Sequence, residues 1–338
     1  CLPTPLNSKN EPDLSHIKMG LNKIKSLLRP NQTIILESTS YPGTTKEIIF
    51  NVLKKRFNIG QNFFVGYSPE RENPGDKKFN LTNIPKIVSG STNKCKLITD
   101  KIYKLIVKKT VKAKSIELAE TSKLFENVYR SINIALVNEL KFVLNKLNID
   151  INSVIDLAKT KPFGFKEFRP GPGVGGHCIP IDPLYLSWIA KKNGYNTEFI
   201  KLASKVNIFT TDNITKQITS FFKKNKLSKK ILILGVSYKK NIEDTRESAS
   251  IKIFEKLKKN KFKVDFTDKL VKKIKIKNKI FKQKNIDYNK IKKYSAIILA
   301  TDHDYFNYDR ILKNSKILLD LRNKYKKKLN NVIKLWFI

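Results

Sequence analysis

The segment 168–183, FRPGPGVGGHCIPIDP, holds the residues whose chemistry is easiest to name. Its cysteine, Cys178, comes just before Asp182-Pro183, a pair typical of the cap and first residue of a helix. A thiol near a helix N-terminus loses its proton more readily and becomes a nucleophile. An unreactive buried cysteine is the alternative, although the glycine loop and the nearby acid favour the nucleophile. Asp182 itself can be a helix cap or a catalytic group.

The glycines before this cysteine, Gly171, Gly173 and Gly176, formally satisfy the GxGxxG pattern of a dinucleotide-binding turn. That turn needs a hydrophobic strand before it and a helix after it, whose N-terminus holds the pyrophosphate. Residues 161–170 lack a strand pattern, and two prolines interrupt the segment after the glycines. We therefore expect a loop whose backbone can approach a ligand closely.

A polar stripe occupies one face of a predicted long helix at residues 115–147, which contains no proline or glycine. Glu120, Lys123, Asn127 and Arg130 recur at spacings of three and four, so their side chains share that face. A solvated surface is the default interpretation of such a stripe. The amide and small residues of 126–135, where lysines are expected on a surface, favour a functional face instead.

Polar residues also follow three predicted strands, in the segments 37–45 (ESTSYPGTT), 67–71 (YSPER) and 235–248 (GVSYKKNIEDTRES). Ligands of open α/β folds bind at the carboxyl ends of parallel strands. Each segment alone could be an ordinary loop. Together with one helix and one cysteine, they predict a ligand cleft between two α/β domains.

The elements that must position these residues follow from hydrophobic periodicity. Strands are predicted at 33–36, 63–67 and 86–88, with residues 2–5 as the end of another strand, and this alternation implies a parallel sheet. The long helix spans roughly 50 Å. Further helices are expected at 151–159, 183–193 and 196–224, followed by strands at 231–236, 263–266, 296–300 and 317–321. The predicted fold is α/β, with two Rossmann-like doubly wound domains joined by a long central helix and a helical middle domain. The domain bounds are 1–112, 113–226 and 227–338.

Composition limits the partners of the chain. Its 338 residues carry a net charge of +39, nearly all from lysines spread from end to end, including the run 269–284, which is predicted to be a surface helix and loop. Without a nucleic-acid motif or a basic stripe interleaved with aromatic residues, we expect no nucleic-acid binding. Three scattered cysteines predict neither a disulfide framework nor a metal site and fit the cytoplasm. The sequence contains no apolar stretch of about 18 residues, so no membrane span is predicted.

Taken in order, these segments resemble the UDP-glucose / UDP-N-acetylglucosamine 6-dehydrogenase family over essentially the whole chain. GPGVGGHCIPIDP is the most specific of them, and AETSKLFENVYRSINIALVNE reinforces it. The resemblance is closer to the branch acting on UDP-N-acetylglucosamine than to the UDP-glucose branch. It implies an NAD-dependent, four-electron oxidation of a UDP-sugar CH2OH group to a carboxylate through a cysteine thioester, by a homodimer formed through the long helix.

The resemblance assigns six residues to catalysis: Cys178, Lys123, Asn127, Asp182, Glu70 and Thr39. By motif, Cys178 would be the nucleophile, while Lys123 and Asn127 would stabilise an oxyanion. Asp182 would orient or activate water, Glu70 would assist hydrolysis, and the threonine would hold a water molecule.

The resemblance also implies two sets of binding residues. Those expected to contact NAD are Thr4, Glu37, Thr39 and Arg246. Those expected to contact the UDP-sugar are Glu70, Lys123, Arg169, Gly173, Gly175, Lys239 and Arg322.

Two departures from the family pattern qualify these expectations. The UDP-glucose branch has a second glutamate where this chain has Pro74. Family members also begin with a strand, a GxGxxG turn and a further βαβ unit, so we expect the chain to be truncated at its N-terminus and to bind NAD weakly. The alternatives are a UDP-glucose 6-dehydrogenase and an inactive, truncated paralogue that binds UDP-sugar or dimerises.

Overall fold

The computed structural model describes residues 2–76, 78–327 and 329–334. The chain forms two compact units. Unit 1 comprises Cys1–Arg130 and Ile181–Lys201, and unit 2 comprises Ser131–Pro180 and Leu202–Ile338. The expected α/β class is confirmed in both units.

Unit 1 is built on four strands in the order of the chain: β1 (Thr33–Leu36), β2 (Phe64–Tyr67), β3 (Lys86–Gly90) and β4 (Thr110–Lys112). The pairs β1–β2 and β3–β4 are parallel, whereas β2–β3 is antiparallel. The expectation of a wholly parallel sheet is therefore wrong. Parallel neighbours need a crossover, usually a helix, and the described residues between β2 and β3 contain none.

Three helical regions of the described chain lie wholly within unit 1. They are α1 (Ser15–Ile24), a π-helical segment (Thr45–Phe50) that continues as α2 (Asn51–Leu53), and α3 (Asn93–Lys104). All four residues of β2 are buried, so this strand lies at the centre of the core. The predicted strand at residues 2–5 is absent; instead the backbone of Leu2 hydrogen-bonds the hydroxyl of Ser38 through both its N–H and its C=O.

Three long helices cross the boundaries of the units. The predicted helix at 115–147 is confirmed as α4 (Ile116–Lys146), about 46 Å long. The short helix α5 (Ile151–Ala158) follows within unit 2. The other two helices with residues in both units are α6 (Cys178–Lys192) and α7 (Glu198–Lys224). The expected start of α6 at Pro183 is wrong, because the helix begins at Cys178. Pro180 is tolerated there, since residues of the first turn have no intrahelical acceptor for an N–H group.

Unit 2 contains a five-stranded parallel sheet formed by β5 (Lys230–Leu234), β6 (Lys263–Thr267) and three later strands. The hairpin β7 (Lys273–Ile276) and β8 (Lys279–Lys282) precedes β9 (Ala296–Leu299), β10 (Leu318–Asp320) and β11 (Val332–Ile333). The order β11-β10-β9-β5-β6 is doubly wound, because the chain leaves β5 toward β6 on one side and returns to β9 on the other. Helix α8 (Ala249–Lys259) follows β5, and α9 (Tyr308–Asn314) follows β9.

Alternate residues of β5 face the two cores of unit 2. Ile231 and Ile233 pack in a cluster with α7 and α8, whereas Leu232 and Leu234 pack in a second cluster with residues near α9. The hairpin corrects the prediction of helix and loop at 269–284. Lysine and isoleucine alternate along β7, and Ile274 is buried against the first cluster. No helix in the described part of the chain has the length and apolar character needed to cross a bilayer.

Candidate functional site

Cys178 is the first residue of α6, a helix of 15 residues, and it is exposed. Asp182 lies one turn later on the same helix, so it is not the helix cap that the Asp-Pro pair predicted. Residues four apart share a helix face with their Cβ atoms about 6 Å apart. Cys178 thus lies at a helix N-terminus, and a carboxyl group follows one turn later on the same helix.

Asp182 is almost wholly buried, with 2% of its surface exposed. Its Oδ2 accepts a hydrogen bond of 2.6 Å from Nδ2 of Asn127 on α4. Burial raises the pKa of Asp182 to about 7, while the charge of Lys123 and the Asn127 hydrogen bond oppose the rise. A carboxyl group with such a pKa can exchange a proton near neutral pH, which suits a general base.

The polar stripe of α4 is not a solvated face along most of its length. Glu120, Lys123 and Asn127 are 0%, 7% and 2% exposed, whereas Arg130 is exposed. A buried lysine is rare unless it has polar partners, and here the charge of Lys123 acts on the buried carboxyl group of Asp182.

Glu120 has a structural task within this stripe. Its carboxylate accepts hydrogen bonds from the N–H groups of Gly43 and Thr45, at 2.6 and 2.9 Å, and from the Thr45 hydroxyl at 2.7 Å. It thereby binds the donors at the start of the π-helical segment. Burial raises the pKa of Glu120 to about 7 against these hydrogen bonds.

Lys86 at the start of β3 was missed by the sequence analysis. It is 3% exposed, and its Nζ lies 2.9 Å from Glu70 and 3.3 Å from Glu37. Burial alone raises the pKa of Glu70, but the Lys86 hydrogen bond and charge and two backbone N–H groups bring it below its ordinary value. Glu70 is therefore held as an anion. An inward lysine at a strand start gives no sequence signal that distinguishes it from the chain's many surface lysines.

The hydroxyl of Tyr67, at the end of β2, is a second feature without a sequence signal. Tyr67 is wholly buried, and its oxygen has no hydrogen-bond partner among the described residues. Burial, followed by the charges of Glu120 and Asp182, raises its pKa well above the ordinary value. A neutral hydroxyl thus lies within the electrostatic influence of the buried carboxyl groups of Glu120 and Asp182.

The carboxyl end of β1 holds two of the residues predicted to contact NAD, Glu37 and Thr39. Glu37 accepts a hydrogen bond from Tyr103, and Thr39 is half-buried. Thr4 is buried beside Tyr185, whose hydroxyl donates to the carbonyl of Pro5 at 2.9 Å. Ser40 is buried, and its hydroxyl has no partner in the described part of the chain. Such hydroxyls at a sheet edge fit the ribose and phosphate groups of a dinucleotide.

The glycine loop 171–176 packs against side chains of unit 2. A Cβ atom on Gly173 would lie 2.5 Å from Oγ1 of Thr211, and one on Gly175 would lie 2.6 Å from Cβ of Tyr238. As expected, no strand precedes the loop, but a helix does follow it. The glycines therefore allow close packing within the protein, in addition to any ligand contact.

The three predicted binding arginines lie in different settings. Arg169 is paired with Asp156 and Glu167 beside α5, at 2.5 and 2.6 Å. Arg246 pairs with Asp244 at 2.6 Å, and its carbonyl accepts from the N–H of Gly176 at 2.9 Å.

The side chain of Arg322 is only 23% exposed, and its Nε donates to the carbonyl of Ala300 at 2.6 Å. Arg322 thus binds a loop carbonyl, whereas Arg246 and Arg169 pair with carboxylates. Lys239 follows β5 and is half-buried, and its carbonyl accepts from Ser237 at 2.9 Å.

A buried hydrogen-bond network lies after the carboxyl ends of the strands of unit 2, near the topological switch point between β5 and β9. Asp268 and His303 are both 0% exposed, with His303 Nε2 3.1 Å from the carboxylate. The same carboxylate accepts from the N–H of Val236 at 2.8 Å and of Ser237 at 3.3 Å. The N–H of Asn241 donates to Nδ1 of His303 at 2.9 Å, so the proton of a neutral ring lies on Nε2. These hydrogen bonds occupy the N–H groups of Val236, Ser237 and Asn241.

The chain is similar to known proteins along most of its length. Models of the UDP-glucose/GDP-mannose dehydrogenase family match residues 1–107 (NAD binding domain), 117–208 (central domain) and 232–327 (UDP binding domain). The chain is 39% identical to the UDP-N-acetyl-D-glucosamine 6-dehydrogenase of Salmonella typhi, over 90% of this chain and 72% of that protein. It is 32% identical to the UDP-N-acetyl-D-mannosamine dehydrogenase of Methanocaldococcus jannaschii, over 96% of this chain and 74% of that protein.

The solved structures include a UDP-D-ManNAc dehydrogenase from Pyrococcus horikoshii. It matches with a TM-score of 0.87 and 28% identity, covering 100% of this chain and 81% of that chain. The UDP-N-acetyl-mannosamine dehydrogenase Cap5O from Staphylococcus aureus matches with a TM-score of 0.84 and 29% identity, covering 99% of this chain and 81% of that chain.

Proposed function

Because the chain belongs to the UDP-glucose/GDP-mannose dehydrogenase family, which is NAD-dependent, we propose that it oxidises C6 of UDP-N-acetylglucosamine to a carboxylate through a Cys178 thioester. The observation that carries this proposal is on α6. An exposed thiol occupies the first position of the helix, and a buried carboxyl group with a pKa of about 7 follows one turn later.

The proposed reaction has four successive steps at C6 of the sugar. The C6 alcohol loses a hydride and a proton to give an aldehyde, and the Cys178 thiolate adds to it as a thiohemiacetal. Loss of a second hydride and a proton gives the thioester, which water hydrolyses to the carboxylate and the thiol. NAD, when bound, supplies the hydride acceptor for both oxidations. Two NADH are therefore released for each sugar acid.

Lys123 and Asn127 are proposed to stabilise the oxyanions of this sequence, since preorganised donors in a dry site are effective there. Asp182 is proposed to take the proton of the hydrolytic water, because burial brings its pKa to about 7. Glu70, held as an anion by Lys86, is proposed to assist hydrolysis, and Thr39 to hold a water molecule.

The binding assignments are proposals of the same kind. Thr4, Glu37, Thr39 and Arg246 are assigned to NAD. Glu70, Lys123, Arg169, Gly173, Gly175, Lys239 and Arg322 are assigned to the UDP-sugar. Arg246 is the most exposed of the three assigned arginines, at 63% of its side chain, so a phosphate can compete with Asp244 for it. The three-part division at residues 112 and 226 and a cytoplasmic location belong to this proposal.

We also propose that two copies of the chain associate through α4. Large hydrophobic side chains are exposed along this helix at spacings of three, four and seven residues: Leu118, Phe125, Tyr129, Leu136, Leu140 and Val143. This spacing is typical of a helix seam that packs on a second helix. Sedimentation of the Phe125→Glu variant as a monomer, beside a dimeric parent protein, is the expected result.

The proposed function is tested by counting NADH released on three substrates, UDP-N-acetylglucosamine, UDP-N-acetylmannosamine and UDP-glucose. About two NADH per sugar on the first, with slower turnover on the others, supports the proposal. The Cys178→Ala variant serves as the matched control and should form no sugar acid. Silence of the parent protein on all three sugars contradicts the proposal.

A further inference from the structure

Two side chains of α4 hydrogen-bond the main chain of Gly171, at the start of the glycine loop. Its N–H donates to Oδ1 of Asn138 at 3.0 Å, and its carbonyl accepts from Nζ of Lys141 at 3.0 Å. Asn138 and Lys141 are three residues apart, so they project from the same face of the helix. Two side chains of one rigid helix thus fix both polar groups of one peptide position.

Burial of the Lys141 side chain costs free energy, because a charged amine loses its hydration. Lys141 is 1% exposed, and burial, with a smaller contribution from the charge of Arg322, lowers its pKa to about 7. Replacing buried charged groups by apolar residues of similar size is often neutral or stabilising. Stability alone is therefore a weak reason for the amine, whose donor role in the structure is the hydrogen bond to the carbonyl of Gly171.

The loop that starts at Gly171 leads directly to Cys178. The carbonyl of Pro172 accepts from Thr211 at 3.2 Å, and the N–H of Gly176 donates to the carbonyl of Arg246 at 2.9 Å. The tight packing of Gly173 and Gly175 leaves the segment little freedom between these anchors. The segment from Gly171 to Gly176 is thus a constrained link to the first residue of α6.

We propose that Lys141 and Asn138 are positioning residues that fix the glycine loop and thereby the sulfur of Cys178. They act through the loop backbone and do not touch the substrate. The kinetic consequence rests on the proposed function, in which Cys178 is the nucleophile. The positional claim concerns the chain alone and can be tested without turnover.

The test uses the whole chain and three variants. Lys141→Met keeps the length of the side chain and removes the amine, and Asn138→Leu removes the acceptor for Gly171. Lys146→Met, an exposed position near the end of the same helix, is the matched control. Each protein is examined by thermal unfolding, by the rate of Cys178 alkylation with iodoacetamide followed on its peptide, and by kcat and KM on the UDP-sugar.

For Lys141→Met we expect an unchanged or higher Tm, together with Cys178 alkylation slowed about threefold or more. We expect kcat to fall by about tenfold to 100-fold, since small misplacements of a reacting group have effects of that size. KM should stay within about threefold. Asn138→Leu should change alkylation and kcat in the same directions, and Lys146→Met should match the parent protein.

Two results overturn the inference. One is parent-like alkylation and kcat in both Lys141→Met and Asn138→Leu. The other is a loss of activity that only accompanies a fall in Tm, which would make the amine a structural group. If the parent protein oxidises no UDP-sugar, the proposed function fails, while the alkylation rates still decide the positional claim.

Discussion

Asp182 in unit 1 and Asp268 in unit 2 are equally inaccessible carboxyl groups with opposite electrostatics. They are 2% and 0% exposed. The pKa of Asp182 is raised to about 7, whereas that of Asp268 is lowered to about 2. Burial raises the pKa of both, so burial alone cannot account for the difference.

The hydrogen-bond donors around each carboxylate explain the contrast. Asp268 accepts from His303, from the hydroxyl of Tyr305 and from four backbone N–H groups, those of Val236, Ser237, Leu270 and Val271. In the described part of the chain, the hydrogen bond to Asp182 comes from Asn127. A buried carboxylate with many donors is a fixed anion that holds loops together, and one with few donors can take up a proton near neutral pH.

The largest expected effect is on turnover. Replacing Asp182 by Asn keeps the shape and the contact with Asn127 but removes the proton acceptor. We expect kcat to fall by about 10²-fold to 10⁴-fold, the usual contribution of a general base. Steady-state NADH production measures it. A variant with parent-like kcat would show that Asp182 is not the base.

The Asp268→Asn change should affect folding more than chemistry. An amide cannot satisfy the donors that converge on this position, so buried N–H groups lose their acceptor. We expect the free energy of unfolding to fall by about 2–4 kcal/mol, measured by urea denaturation. Asp309→Asn, at an exposed position of α9, is the control and should unfold like the parent. An unchanged stability of Asp268→Asn would remove the distinction between the two carboxyl groups.

The pH dependence of stability should have opposite signs for the two groups. The folded pKa of Asp182 is raised, so its contribution is present below about pH 4 and is lost as pH rises through about 7. The folded pKa of Asp268 is lowered, so its contribution is present above about pH 4 and is lost as pH falls toward about 2.

Unfolding of the parent, Asp182→Asn and Asp268→Asn proteins between about pH 3 and pH 9 checks these signs. Relative to the parent, Asp182→Asn should gain stability above about pH 7. The deficit of Asp268→Asn should shrink in acid. The same direction for both variants would contradict the donor argument.

The smallest expected effect concerns a surface carboxylate of unit 2. Asp212 pairs with Lys256 at 2.8 Å, and both side chains are about 40% exposed. Solvent screens such a pair, so Asp212→Asn should change the free energy of unfolding by less than about 1 kcal/mol. A loss comparable to that of Asp268→Asn, by the same denaturation experiment, would mean that burial and donor number do not set the ranking.

The local sequence pattern was sufficient to predict the helices and strands, but it did not predict which of their polar side chains are buried. The apolar period of α4 and the apolar runs of β1 and β5 depend on adjacent residues, and their predicted bounds agree with the structure within a few residues. The β7–β8 hairpin could also have been predicted from the sequence, because Lys and Ile alternate along β7. In the structure a two-residue turn joins the strands, and its Lys277 has a φ of +52°. The lysine content alone led to the prediction of a helix and loop.

The burial of Glu120 and Lys123 could not be predicted from their spacing. The same stripe can face water or protein, and only the packing of other elements decides which. The Asp268–His303 contact joins residues 35 positions apart, each in the segment that follows a different strand. Neither residue has a local pattern that indicates the other, whereas the Cys178 loop was recognisable because all its residues are contiguous.

The most direct test of the account is to trap the acyl enzyme. The Asp182→Asn variant, incubated with UDP-N-acetylglucosamine and NAD, should accumulate a thioester because its hydrolysis is slowed. Peptide mass spectrometry should then find the sugar acyl group on Cys178, released by hydroxylamine and absent when NAD is omitted. Sugar acid formed by the parent protein, with no adduct on Cys178 in the variant despite an initial burst of NADH, would contradict the thioester mechanism.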